Sequence, residues 1–332
     1  MALVSLGTTP GLRHADGALA EQLRAAGLAC EVREVRIGAA GSLRRNPAIT
    51  DLVEALAARR AARGPEARVT LYSTVTAALL QPSRGPYAVR FDSPAALNRP
   101  GLSGAWQRAR ERRVLGRAKL LLPWSRRAAD SAPTDVPRLV VPVPVPAQEP
   151  AGTRDIDVLA YAGYPQKRGL DVICRAWAQV GAGRTLVVGG VEREPALAWL
   201  AKQGVAEPRG VDWRGLVPRS EWLETVGRAR LFVNASRWED YGLSQLEALS
   251  AGAALVTVPS PGPYEALSLA RSLAPELVDS DLEAALGAGL RLGEDELAAY
   301  RARAADALAP YRPDAVQAIV SDELLPALGF GR

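Results

Sequence analysis

The chain predicts an α/β fold made of two doubly wound, Rossmann-like domains. Three observations lead there. Short apolar runs alternate with segments of helical spacing along most of the length. A proline-rich stretch at 141–152, V-P-V-P-V-P-A-Q-E-P-A-G, interrupts that alternation near the middle. With 332 residues, the chain has room for about two domains of roughly 150 residues each.

Taken in order, residues 2–6 read as a strand. Leu19, Leu23 and Ala26 have helical spacing, and Gly27 ends that helix. A strand at 30–35 follows, then a helix at 49–62 with Leu52, Val53 and Leu56 expected inward. Residues 69–72, 87–91 and 120–123 read as short strands. The 141–152 stretch reads as a stiff connector or a proline-broken edge strand, and the two are compatible. Beyond it, 158–161, 185–188, 211–213, 231–233 and 255–258 read as strands with helices between, and from Asp281 onward the reading is helical. The expected domains are 1–145 and 153–310, with a final helical segment at 311–332.

Composition narrows the function classes. Nothing is apolar over the about 20 residues needed to span a bilayer. The chain opens on a strand with no charged leader, which predicts no signal peptide. Cys30 and Cys174 are far apart, which predicts a reducing compartment and a cytoplasmic protein. The net charge of +5 comes almost wholly from arginine, since Lys119, Lys167 and Lys202 are the only lysines. That balance suits phosphate-bearing ligands or an anionic membrane. Nucleic acid is not expected as a partner: there is no zinc spacing, and 5% aromatic content is poor for stacking bases.

The most informative run lies at 234–253 and reads N-A-S-R-W-E-D-Y-G-L-S-Q-L-E-A-L-S-A-G-A. It leaves a strand, crosses a loop carrying Glu239 and Gly242, and enters a helix carrying Glu247. Seven residues separate the glutamates. In open α/β sheets ligands bind at the carboxyl ends of strands, where helix amino termini offer N–H groups to anions. A second segment, Y-A-G-Y-P-Q-K-R-G-L-D-V at 161–172, sets a strand, a turn, Lys167 and Arg168 before another helix. A solvated basic turn is its plainer reading, and a phosphate site the sharper one.

The 234–253 run resembles the E-x7-E signature of retaining glycosyltransferases of the GT-B fold, family four, the group 1 glycosyl transferases. That pattern is roughly P-S-x-x-E-x-F-G-L-x-x-L-E-A-x-A-x-G-x-P-V-V, and here glutamate, aromatic, glycine, leucine, second glutamate, alanine and late glycine fall in register. The resemblance implies two Rossmann-like domains facing across a cleft, with the first taking the acceptor and the second the donor. It implies that the last helix returns to the first domain. The donor implied is a nucleotide-diphosphate sugar, with no cofactor and no metal. The acceptor is a glycan, a lipid or a small molecule, as in cell-envelope glycan synthesis.

Site roles follow from the same resemblance. Glu239 would hold a donor-sugar hydroxyl and stabilise charge at the anomeric carbon, and Glu247 would take the ribose hydroxyls. The N–H groups of Tyr241, Gly242 and Leu243 would face the phosphates. The 161–176 segment looks like the family's G-R-x-x-x-x-K-G element, so Gly163, Lys167 and Arg168 would contact the diphosphate. The family's arginine place is Tyr164 here, leaving charge compensation to Lys167, Arg168 and Arg237. Asp240 is acidic where many members carry a small residue. W-R-G-L-V at 213–217 matches the family's F-x-G-x-V turn at the base, implicating Arg214 and Val217. In the first domain, Gly7 and Gly11 would form the glycine loop. Asp92 would keep the acid of a His-Asp pair whose histidine is replaced by Phe91. His14, the sole histidine, lies just after the glycine loop, where an incidental role is the plainer reading.

Three further features have two readings each. The basic run at 106–117, with Trp106, Val114 and Leu115, is a solvated helix face or a peripheral contact with an anionic leaflet. D-x-D tripeptides at Asp155/Asp157 and Asp279/Asp281 are not expected to hold metal, and the second is expected to cap a helix. The alternatives to sugar transfer are a non-catalytic GT-B nucleotide-sugar-binding or partner protein and a GT-B sugar-nucleotide epimerase.

Overall fold

A computed structural model describes residues 1–37, 47–81, 85–148 and 152–330. They fall into two compact units, Met1–Pro144 with Pro313–Arg332, and Val145–Arg312. In the first unit β1 (Ala2–Ser5), β2 (Glu31–Glu34), β3 (Thr70–Tyr72), β4 (Tyr87–Phe91) and β5 (Leu120–Pro123) form a parallel sheet in the order β2-β1-β3-β4-β5. In the second, β6 (Ile156–Tyr161), β7 (Leu186–Gly189), β8 (Val211–Gly215), β9 (Ala229–Asn234) and β10 (Ala254–Thr257) form another, in the order β10-β9-β6-β7-β8. Every strand expected from the sequence is present, shifted by at most two residues at its ends.

Strands covered on both faces can be apolar throughout, which is why β1, β5 and β7 read as continuous apolar runs. On one face of the first sheet Val4, Tyr72, Val89, Phe91 and Leu121 pack with Val75, Leu79 and Leu115. On the other, Leu3, Leu71, Ala88 and Leu122 pack with Val316, Val320, Leu324 and Leu328 of the C-terminal segment. Burying each leucine or valine contributes on the order of 2 kcal/mol. Gln317 Nε2 donates to the Gln22 carbonyl at 3.1 Å, and Gln22 Nε2 to the Pro313 carbonyl at 3.2 Å.

One helix differs from its sequence reading, and for a second the structure favours one of two. Helix Pro47–Ala61 turns Asp51, Glu54, Ala55 and Ala58 inward, while Ile49, Leu52 and Leu56 are 42–43% exposed. The inward expectation for Leu52 and Leu56 is therefore corrected. Asp51 takes a two-pronged bond from Arg99, at 2.9 and 3.0 Å, and the alanines allow close approach. Hydrophobic period alone does not register either effect. In helix Ala105–Leu115, Val114 and Leu115 lie in the core and Trp106 packs against it, leaving Arg112 and Arg113 outward. The apolar side chains that a peripheral membrane contact would use thus face the interior, and the solvated-face reading is the one the helix fits. No helix among the described residues is long and apolar enough to cross a membrane.

The proline-rich stretch buries Val141, Val143 and Val145. It runs beside β5 as an interrupted edge, Leu139 N–H donating to Leu121 O at 2.9 Å and Val141 N–H to Pro123 O at 3.0 Å. Its positions 149–151 lie outside the described residues.

Candidate functional site

In the second sheet β6 is flanked by β9 on one side and β7 on the other. The direction of winding reverses there, and in open α/β sheets ligands bind at such a switch point, beyond the carboxyl ends of the strands. The two segments singled out in the sequence are those loops. After β6, Gly163 and Tyr164 form a bend, a one-turn helix Pro165–Arg168 presents Lys167 and Arg168, and helix Leu170–Val180 follows. Lys167 and Arg168 thus precede the longer helix in a turn of their own.

Gly169 makes the approach of the two loops possible. It has φ +64°, and a Cβ there would lie 2.0 Å from the Ala235 carbonyl oxygen. With it in place, the Arg237 N–H donates to the Lys167 carbonyl at 2.9 Å.

The loop after β9 ends at Gly242, whose φ of +91° turns the chain into helix Leu243–Ser250. A Cβ on Gly242 would lie 2.6 Å from the Tyr264 ring. Among the described residues no side chain caps this helix, so its first N–H groups keep their capacity for an anion. Tyr241 is buried at the turn, and Leu243 begins the helix.

Glu239 is buried beneath this terminus. Its Oε2 accepts from Arg168 Nη1 and from Gln245 Nε2 at 3.0 Å, and lies 3.1 Å from Ser236 Oγ. Arg168 also lies over the Tyr161 ring, 5.5 Å from its centroid, and its buried Nε finds no hydrogen-bond partner among the described residues. Lys167 Nζ lies 3.0 Å from Asp240 Oδ2. Burial would lower the Lys167 pKa, but Asp240 and Glu239 outweigh it and the pKa is raised. Glu247, buried one turn into the helix, accepts from Arg219 Nη2 at 2.5 Å. Burial raises its pKa, against the pull of Arg219. Arg237, expected at the phosphates, instead grips Asp171 at 2.7 and 2.9 Å and donates to the Gln166 carbonyl at 2.6 Å.

The structure therefore brings Lys167, Arg168, Glu239 and Asp240 into direct contact, at the edge where Glu247, Tyr241, Gly242 and Leu243 also lie. It is less kind to the base turn. Arg214 is exposed in β8 and pairs with Asp212 of its own strand at 2.9 Å. The turn itself is held by Glu192, which accepts from Leu216 N–H at 2.9 Å; Leu216 is 73% exposed and Val217 half-buried. Sequence reasoning missed Glu192, Arg219, Ser236 and Gln245. Gln245 had a signal, being in the first turn of the helix that follows Glu239. Arg219 had none, because it reaches Glu247 from a different helix, Arg219–Gly227.

In the first unit Gly7, with φ +51°, leaves β1 at the carboxyl edge, and its carbonyl accepts from Arg13 Nη1 at 2.9 Å. Gly11 is not in that loop. Pro10 begins helix Pro10–Ala25, capped by the Thr9 side chain, so Gly11 and His14 are helical. Asp92 is half-buried just past β4, while Phe91 belongs to the core. An unforeseen polar cluster lies beneath: Asp16 accepts from Ser5 Oγ at 2.6 Å, with Arg90 3.7 Å away and fully buried. Burial raises the Asp16 pKa against the pull of Arg90.

The D-x-D tripeptides have structural partners. Asp155 pairs with Arg228, Asp157 accepts from Thr185 N–H at 3.1 Å, and Asp281 caps helix Leu282–Arg291. No three His, Cys, Asp or Glu residues among those described are grouped to hold a metal.

Comparisons agree with this geometry. The family model described as "Glycosyl transferases group 1" matches residues 156–291, which include β6, both loops and the helix carrying Glu247. No curated protein matches the chain. Among solved structures, sucrose-phosphate synthase from Thermosynechococcus elongatus superposes with TM-score 0.70 at 14% identity, covering 95% of this chain and 96% of that one. WaaG, a glycosyltransferase involved in lipopolysaccharide biosynthesis, gives 0.67 at 16% identity, covering 94% and 96%. An α,α-trehalose-phosphate synthase (UDP-forming) from Burkholderia xenovorans gives 0.63 at 14% identity, covering 84% and 77%. At such identities the likeness shows the fold. The fold is GT-B, and the second unit carries the sequence pattern of the group 1 glycosyl transferases.

Proposed function

We propose that the protein is a glycosyltransferase that moves a sugar from a nucleoside-diphosphate sugar to a glycan, lipid or small-molecule acceptor. One observation carries the reading. An uncapped helix amino terminus, two adjacent cations and two buried glutamates meet at the switch point of the second sheet, within the span that matches the family.

Each part suits a step of transfer. Breaking the glycosidic bond builds negative charge on the departing diphosphate, and by the same resemblance Lys167, Arg168 and the N–H groups of Tyr241 to Leu243 would stabilise it. Glu239, fixed by Arg168 and Gln245, suits a donor-sugar hydroxyl and the positive charge at the anomeric carbon. Glu247 suits the vicinal diol of a ribose, since one carboxylate accepts two such bonds. By resemblance the reaction retains anomeric configuration and needs no metal. The attack is then front-face, with the donor phosphate helping to take the acceptor's proton. Asp92 is assigned to the sugar side on the same ground. A cytoplasmic setting at the inner face of a membrane would suit a lipid or envelope acceptor.

A thermal-shift panel of UDP-, GDP- and ADP-sugars tests the reading. One donor at 100 times its dissociation constant should stabilise the protein by roughly 2.7 kcal/mol. That donor should then release nucleoside diphosphate when an acceptor is added. If none shifts the melt, the nucleotide reading fails.

A further inference from the structure

Asp240 is the one acid at the site to which phosphate chemistry gives no task. Its Oδ2 sits 3.0 Å from Lys167 Nζ, and its Oδ1 accepts from Trp238 Nε1 at 2.6 Å. The backbone fixes both sides of this contact. Glu239 N–H donates to Pro261 O at 3.0 Å, and Arg237 N–H donates to Lys167 O at 2.9 Å. The Asp240 side chain is 19% exposed against 42% for Lys167, so the carboxylate is the better seated partner. Arg168 is likewise held by Glu239. Among the described contacts, each of the two cations is thus paired with a carboxylate at the place proposed for a diphosphate.

A carboxylate and a phosphate compete for one ammonium. An ionised Asp240 has no proton to donate to a phosphate, and beside one it repels. The Trp238 indole gives it a second anchor once Lys167 turns away. We propose that Asp240 is a built-in competitor for Lys167 that sets how tightly the site holds phosphate groups: a phosphate gains the ammonium only as the Asp240 pair opens. The proposal rests on the nucleoside-diphosphate reading and deepens it. A ligand held only by its phosphates bears the full cost of opening the pair. A nucleotide sugar offsets that cost through Glu247 and Glu239. The competitor thus keeps small phosphates from filling the site at low concentration.

The test is calorimetry with inorganic pyrophosphate, UDP, GDP, ADP and uridine on the whole chain. Asp240→Asn keeps an oxygen for Trp238 and removes the charge; Asp240→Ala removes both. Each should bind pyrophosphate and the preferred nucleoside diphosphate about tenfold tighter than wild type, within the usual range of coupling between two sites. Uridine affinity should not change. In a Lys167→Met background the same substitutions should give no gain, because the contested ammonium is gone.

Three results overturn the proposal: unchanged or weaker pyrophosphate binding in both Asp240 variants, a gain of equal size without Lys167, or no pyrophosphate binding by any variant. The underlying reading fails separately. If pyrophosphate tightens as expected while UDP, GDP and ADP all fail to bind, Asp240 is the competitor but the ligand is not a nucleotide. If a nucleoside diphosphate binds wild type and Asp240→Asn equally well, the nucleotide reading stands and the competitor does not.

Discussion

Glu111 should make the stability of the protein fall as pH rises. Its side chain is fully buried in helix Ala105–Leu115, and Oε2 accepts from the Ala95 N–H at 2.6 Å. That bond ties down the segment just after Asp92. Burial pushes the carboxyl up from 4.5 to about 7, against the pull of the backbone N–H bonds and Arg99. In the folded chain the group therefore keeps its proton to higher pH than in the unfolded one. Its stabilisation is complete below about pH 4.5 and is lost as pH climbs to about 7, beyond which it stays lost. At about 1.4 kcal/mol per tenfold in proton affinity, the loss is about 3 kcal/mol. Glu111→Gln cannot titrate, and it buries an amide N–H₂ in place of an acid. It should be less stable than wild type at pH 4, and the gap should close by about 3 kcal/mol at pH 8. Urea unfolding of both proteins from pH 4 to pH 8 measures this. A gap that stays constant across the range would refute the reasoning.

Two predictions concern ligand contacts. Glu247→Ala should weaken binding of the preferred nucleoside diphosphate by roughly 1.5–3 kcal/mol, the worth of bonds to a charged acceptor. Calorimetry reads this directly, and unchanged affinity would remove the ribose role. The Lys167→Ala, Arg168→Ala double variant should lose far more affinity for the diphosphate than for the bare nucleoside. Equal losses on both ligands would point to general damage of the fold.

Much of the fold was legible because its strands are short, apolar and separated by glycines and prolines. The reading of 87–91 and 120–123 matched β4 and β5 to the residue. The helix at 47–61 was legible in position but not in rotation. Its inward face is chosen by the Asp51–Arg99 pair and by Ala55 and Ala58, and Arg99 is 48 residues further along the chain. At the site, the E-x7-E run and the K-R-G element were visible because each is contiguous. Their coupling was not visible. Arg168–Glu239, Lys167–Asp240 and Arg219–Glu247 each join residues 28 or more positions apart. The Gly7 loop was read two residues too far, since Pro10 followed by Gly11 looks like a turn but starts a helix behind the Thr9 cap.

The central claim is sugar transfer at Glu239, and turnover of Glu239→Gln tests it most directly. Release of nucleoside diphosphate and formation of glycosylated acceptor would be followed for wild type and variant, after confirming that both fold. Glutamine keeps the size of the side chain and an oxygen for Arg168 but removes the charge. A group that acts mainly as charge develops is worth more in the transition state than in the ground state. Turnover should fall about a hundredfold or more while nucleotide affinity is kept or rises, since Arg168 is released to the phosphates, in line with the few kcal/mol preorganised electrostatics supplies. Equal turnover in the two proteins would contradict the catalytic role. Donor binding by wild type without transfer to any of a broad acceptor panel would contradict the enzyme reading itself.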